Sequence, residues 1–173
     1  IIPPMITPLK GNDELDREGT VRLVEHIING GVHALFLLGT TGEAQSLTYR
    51  LRYEFVELVC RQVNGRVPVL VGITDTCIDE SIRLAEHAKA NGAVGVVAAA
   101  PYYFAPSQQE LIEYYTALAD ALPLPLYLYN MPSHVKVFLE PSTVKVLAEH
   151  PNIVGLKDSS ANMNYFETLM YTL

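Results

Sequence analysis

The chain has 173 residues, of which 49% are hydrophobic and 18% charged, and its formal net charge is −7. This composition suits a globular chain with a sizeable core, and the acidic balance argues against nucleic acid as the main partner. No apolar run approaches the roughly 18 residues that a membrane-spanning helix needs.

The opening, IIPPMITPLKGN, has no initiator methionine and no basic stretch of the kind that starts a signal peptide. The expectation is a portion of a longer chain. A first strand is expected over residues 4–7. The first helix follows Asp16, a good N-cap, with Val21, Val24, Ile27 and Ile28 on one face, and Gly30 and Gly31 stop it. After a strand at residues 34–38, a second helix is expected over Tyr49–Val63. It turns Leu51, Phe55, Leu58 and Val59 inward and ends at Asn64 and Gly65. A strand at 67–73 leads to a third helix over Ile78–Ala90, closed by Asn91 and Gly92. A strand at 94–100 leads to a fourth helix, opened by the capping box Ser107-Gln108-Gln109-Glu110. A strand at 124–129 precedes a fifth helix that starts near Pro141 and must stop before Pro151. The last strand begins at Ile153, and a sixth helix begins near Ser160.

The apolar runs start at residues 34, 67, 94, 124 and 153, in steps of 33, 27, 30 and 29. That is the size of a strand–helix–strand unit. Strands apolar on both faces suit a parallel sheet covered by helices. An open doubly wound sheet usually carries a GxGxxG turn after its first strand, and none is present. The expectation is therefore α/β: a (β/α)8 TIM barrel truncated to about its first six units, with residues 1–173 forming one barrel domain.

Cys60 falls in a helical pattern and reads as a buried thiol, whereas Cys77 reads as exposed. Two such cysteines make no disulfide framework and fit a reducing cytoplasm. The five histidines, His26, His33, His87, His134 and His150, show no HxH or HExxH spacing, so no metal site is expected.

The unusual polar residues follow the strands. They are GTTGEAQS at 39–46, APYYFAPS at 100–107, YNMPSHVK at 129–136 and LKDSS at 156–160. In parallel α/β folds these loops lie on the face that carries active sites. A lysine is most often a solvated surface charge, but Lys157 continues the apolar strand NIVGLK. Period two puts Ile153, Gly155 and Lys157 on one face, with Gly155 leaving room below the lysine. A partly desolvated lysine loses its charge more easily. Its neutral amine can attack a ketone, and the resulting iminium is an electron sink for a neighbouring C–C bond. Asp158, the next residue, should face the other way and is not the expected base. Tyr129 ends its strand either as a core tyrosine or as a proton relay. Tyr102 and Tyr103 are relay candidates or an interface patch. Gly39-Thr40-Thr41-Gly42 is either a plain turn or a small anion nest for a carboxylate.

Together GTTGE (39–43), PYY (101–103), YNMP (129–132) and GLK (155–157) resemble the dihydrodipicolinate synthase / N-acetylneuraminate lyase family. The 28-residue step from Tyr129 to Lys157 is similar too. The resemblance covers the whole chain, with the last two barrel units outside it. It implies a class I aldolase or lyase that makes or cleaves a C–C bond between pyruvate, or a related 2-oxo acid, and an aldehyde. Lys157 is then the Schiff-base lysine and Tyr129 the proton-transfer tyrosine. Thr40 and Thr41 are the hydroxyl relay and carboxylate pair beside Gly42, and Tyr103 completes the relay from a neighbouring subunit. A homodimer or homotetramer is implied, and no metal or organic cofactor, because the lysine does the electrophilic work.

One departure concerns the second substrate. The synthases carry an arginine two residues after the YNxP proline, and here Pro132 is followed by Ser133 and His134. Histidine cannot hold a carboxylate bidentately. LKDSS is also more similar to 2-keto-3-deoxy sugar acid aldolases. The alternatives are therefore a sugar acid or N-acetylneuraminate-type aldolase and, outside enzymes, a non-catalytic 2-oxo acid binding paralogue on the same fold.

Overall fold

The computed structural model describes residues 1–173. Backbone proximity divides the chain into two units that interleave in sequence. One holds Ile1–Ile73 and Arg83–Val96, the other Thr74–Ile82 and Val97–Leu173. The division falls inside helix α3 (Ile78–Ala90) and strand β5 (Gly95–Ala99).

The first unit opens with a short antiparallel hairpin, β1 (Leu9–Gly11) and β2 (Glu14–Leu15), which the sequence did not suggest. Helix α1 (Arg17–Asn29) follows, and the Asp16 carboxylate accepts the Gly19 amide hydrogen at 2.9 Å, as the N-cap reading requires. Strand β3 (Leu35–Leu37), helix α2 (Tyr49–Val63) and strand β4 (Val69–Gly72) complete the pattern. β3 and β4 pair in parallel, Leu35 opposite Val69 and Leu37 opposite Val71, and every residue of both strands is buried. This accounts for their continuous apolar sequence.

The strand expected at residues 4–7 is reduced to a single bridge between Pro4 and Phe36. Proline has no amide hydrogen to give to a ladder. Pro3 and Pro4 can therefore only accept, and Met5 makes the donation, to Phe36 O at 2.8 Å. The direction is the expected one; the ladder is not.

α2 has the bounds read from sequence and ends on Asn64 in the left-handed region at φ 47°. Leu51, Phe55, Val56, Val59, Cys60 and Val63 form its buried face, while Leu58 is only half-buried. Burial pushes the Cys60 thiol up to about 11, which keeps it protonated and inert. Cys77 is exposed.

Glu25 on α1 receives both arms of Arg66, at 2.6 and 2.8 Å, and the Gln62 amide at 2.6 Å. Arg66 first and Gln62 second hold its carboxyl at about 2 instead of the usual 4.5. The folded value lies below the unfolded one. This contribution to stability is therefore complete above the unfolded value and is lost as the pH falls through the folded one. Between pH 5 and pH 2, denaturant titration should show the parent losing more stability than Glu25→Gln. Parallel losses would contradict it.

In the second unit, Ser107 caps helix α4 (Gln108–Ala121) through the expected box. Glu110 Oε2 accepts the Ser107 amide at 2.7 Å, and Ser107 Oγ accepts the Glu110 amide at 3.3 Å. Strand β6 (Leu126–Asn130) leads into a one-turn helix α5 (Pro132–Val135). Helix α6 (Pro141–Leu147), strand β7 (Ile153–Asp158) and helix α7 (Met163–Thr172) follow. β6 and β7 pair in parallel. No helix is long and apolar enough to cross a membrane.

Candidate active site

The last two strands bring Lys157 and Tyr129 together. They are direct cross-strand partners, and the Lys157 Nζ lies 3.8 Å from the centroid of the Tyr129 ring. A cation over the face of an aromatic ring is attracted by the ring's quadrupole. Tyr129 is 5% exposed and the lysine half-buried, so the amine sits on a fixed wall with solvent access remaining. With the nitrogen over the ring face, the phenol oxygen in the ring plane is displaced sideways from the amine.

This pairing depends on an irregularity. Leu126 pairs with Ile153, but Tyr127 pairs with Gly155, so β7 carries one extra residue at Val154. Bulges of this kind re-aim side chains and recur beside active sites. Ile153 therefore goes with Leu126, while Gly155 and Lys157 share the face of Tyr127 and Tyr129. The trio expected on one face is split. The space at Gly155 is also not open below the lysine. A Cβ there would lie 2.7 Å from Cδ1 of Tyr127, whose ring fills it.

Asp158 points away from this face, as expected, and its carboxylate is fully engaged. Oδ1 accepts the Asn130 side-chain amide at 2.8 Å and the Ser160 amide at 3.1 Å, and Oδ2 accepts the Ser160 hydroxyl at 2.9 Å. Asn130, itself buried, accepts the Leu139 amide on Oδ1 at 3.1 Å. Its carbonyl accepts the Ser159 amide at 2.9 Å. The pair is a clamp that joins the ends of β6 and β7 just past Tyr129 and Lys157. Tyr165 of α7 lies near it, and burial first and the Asp158 charge second push its phenol well up.

Thr40, Thr41 and Gly42 lie in the first unit, on a single 3-10 turn at the end of β3. Both threonines are exposed and Gly42 is buried. The turn consumes two amides internally, Gly42 to Gly39 O and Glu43 to Thr40 O, each at 3.0 Å. An anion held here would rely on the threonines and not on those two amides. Thr7 donates its hydroxyl to Gly42 O at 2.8 Å and fixes the turn from below. The chain enters the turn through Leu38, buried at φ 55°, in the region that favours glycine. Gly72 of β4 makes room for that bend, since a Cβ there would meet Leu38 O at 2.3 Å.

Tyr103 is 70% exposed and meets Phe104, 80% exposed, edge to face at 4.9 Å. His134 is exposed on α5, with its Nδ1 2.9 Å from the Ser133 hydroxyl.

A model of the Dihydrodipicolinate synthetase family matches residues 1–173. The chain belongs to that family.

The solved dihydrodipicolinate synthase from Bacteroides thetaiotaomicron is 58% identical and superposes with a TM-score of 0.95, covering 99% of this chain and 57% of that one. The chloride-inhibited dihydrodipicolinate synthase from Acinetobacter baumannii, solved with pyruvate, is 35% identical at a TM-score of 0.95, over 99% and 59%. A 4-hydroxy-tetrahydrodipicolinate synthase of Hyphomonas neptunium is 43% identical over 163 residues, 94% of this chain and 55% of that protein. The chain thus spans little more than half the length of such relatives. Its fold is that of the family's TIM barrels over this stretch.

In this family member the sequence motifs located the loops, and the structure adds what holds them. Asn130, Tyr127 and the bulge at Val154 escaped the sequence reading. A polar residue closing an apolar strand, as Asn130 closes LYLYN, was the available signal for the clamp.

Proposed function

We propose that the protein carrying this chain is a class I lyase, similar to 4-hydroxy-tetrahydrodipicolinate synthase, that joins pyruvate or a related 2-oxo acid to an aldehyde or reverses that reaction. The observation that carries the reading is the Lys157 amine seated over the Tyr129 ring at 3.8 Å. The pyruvate complex of the A. baumannii relative supports the substrate class.

In the proposed reaction the neutral Lys157 amine attacks the C2 ketone, and loss of water leaves an iminium. Its positive nitrogen draws electrons from C3, which loses a proton and becomes an enamine. The enamine carbon attacks the aldehyde carbonyl, and hydrolysis returns the lysine. Tyr129 and Thr40 move protons among the oxygens of these steps. Thr41 takes the 2-oxo acid carboxylate, with Gly42 shaping the turn beneath it, and His134 meets the second substrate. These threonine, glycine and histidine roles follow the motif resemblance. The chemistry calls on no metal or organic cofactor, because the iminium is itself the electron sink.

The exposed pair Tyr103 and Phe104 supports a homodimer or homotetramer in which Tyr103 serves a neighbouring subunit. The two free cysteines support a reducing, cytoplasmic setting. The likeness to a family TIM barrel over 99% of the chain supports one barrel domain over residues 1–173.

His134 favours a second reading, a 2-keto-3-deoxy sugar acid or N-acetylneuraminate-type aldolase, because it lacks the bidentate arm an acidic aldehyde needs. A panel of acidic and sugar aldehydes with pyruvate separates the two. Turnover with at least one aldehyde is expected. Bound pyruvate without turnover across the panel would point instead to a non-catalytic 2-oxo acid binding paralogue.

A further inference from the structure

We infer that Tyr127 and Gly155 are positioning residues for Lys157, acting through the space that glycine leaves for the tyrosine ring. The inference rests on the Schiff-base reading of Lys157. Four residues form two successive cross-strand pairs on one face, Tyr127 with Gly155 and Tyr129 with Lys157. In the first pair the Tyr127 ring lies against the β7 backbone, so close that a Cβ on residue 155 would meet Cδ1 at 2.7 Å and Cε1 at 2.9 Å. Real Cβ atoms do not tolerate such contacts, so any side chain at 155 must displace the ring. Residues two apart on a strand are neighbours on the same face. A displaced Tyr127 ring is therefore crowded toward the layer that holds Tyr129 and Lys157.

The register irregularity makes this layer matter. The strands slip by one residue between the Leu126 and Tyr127 pairings, and Tyr127 against Gly155 is the first pair after the slip. A large ring opposite a residue with no side chain is a size match that the slipped register satisfies. In the unslipped register Tyr127 would face Val154, whose branched side chain would occupy the ring's place. The pair thus favours the register in which Lys157 lies opposite Tyr129. The contact uses the ring and not the phenol oxygen, so phenylalanine at 127 should serve.

The test is the rate of adduct formation on Lys157 in the full-length protein, mixed with pyruvate, reduced with borohydride at set times and mapped by mass. Gly155→Ala and Tyr127→Leu should each slow trapping at saturating pyruvate by about tenfold to a hundredfold, the scale set by ångström displacements of a reacting group. The half-saturating pyruvate concentration should change less than about twofold, because the amine and not carboxylate binding is disturbed. Tyr127→Phe should trap at the parent rate. If Gly155→Ala fails to fold, the comparison of Tyr127→Leu with Tyr127→Phe still decides.

Parent-rate trapping by Tyr127→Leu would overturn the inference, as would a Tyr127→Phe defect equal to that of Tyr127→Leu. In both cases the parent still traps, so the Schiff-base reading survives. A parent that forms no adduct on Lys157 overturns that reading and this inference with it.

Discussion

Lys157→Ala should abolish the borohydride-trapped pyruvate adduct and reduce turnover in the full-length protein to background. In the proposed reaction the nucleophile is the amine itself, so no neighbouring group should restore it. Lys157→Arg should be equally inactive. A guanidinium can occupy the face of Tyr129, but it stays protonated and offers no nucleophilic nitrogen. The fold should tolerate both changes, because the side chain is half-buried and its ring contact is a modest term, on the order of 0.5–1 kcal/mol. Far-ultraviolet circular dichroism and a melting curve beside the activity assay separate lost chemistry from lost structure. Turnover by either variant above about a thousandth of the parent rate would place the chemistry elsewhere.

The second large effect is expected at Tyr129, and it differs in kind. Tyr129→Phe keeps the ring against which Lys157 Nζ sits, so the amine keeps its place. Only the phenol oxygen is lost. If that oxygen carries protons between reaction intermediates, kcat should fall by about a hundredfold to ten-thousandfold, the range of general acid–base contributions. The Lys157 adduct should still be detectable after long incubation with pyruvate. A variant with parental kcat would reduce Tyr129 to a wall for the lysine. One that folds but forms no adduct at all would mean that the oxygen is needed before the iminium exists.

The periodic parts of the fold were legible in the sequence, and so was the place of Lys157 near the end of its strand. Asp16, Ser107 and the Asn64-Gly65 stop carry their own local chemistry, and the helices begin or end where those residues stand. Continuous apolar runs marked the buried parallel strands. The hydrophobicity of residues 4–7 suits a ladder, but Pro4, and Pro3 just before it, limit hydrogen bonding there. The bulge at Val154 left no mark, because an extra valine in an apolar run looks like its neighbours. Without the bulge, the expected alternation put Ile153 on the wrong side and assigned the space at Gly155 to the lysine. That space belongs to Tyr127, a residue two positions before the tyrosine that drew attention. Asp158 faces away from Lys157 as the alternation implies, yet its bonds to Asn130 and Ser160 have no signature in spacing alone. Thr40 and Thr41 were found through the glycines around them. The αL bend at Leu38, which launches their turn, depends on Gly72 from the next strand and has no local signature.

If Lys157 forms the iminium, its reaction with pyruvate can be followed without knowledge of the aldehyde. The full-length protein is incubated with pyruvate alone, reduced with borohydride, digested and mapped by mass spectrometry. One pyruvyl adduct per chain is expected, on the peptide that carries Lys157, dependent on both pyruvate and reductant. No adduct, or an adduct on Lys136 or another lysine with Lys157 unmodified, would contradict it.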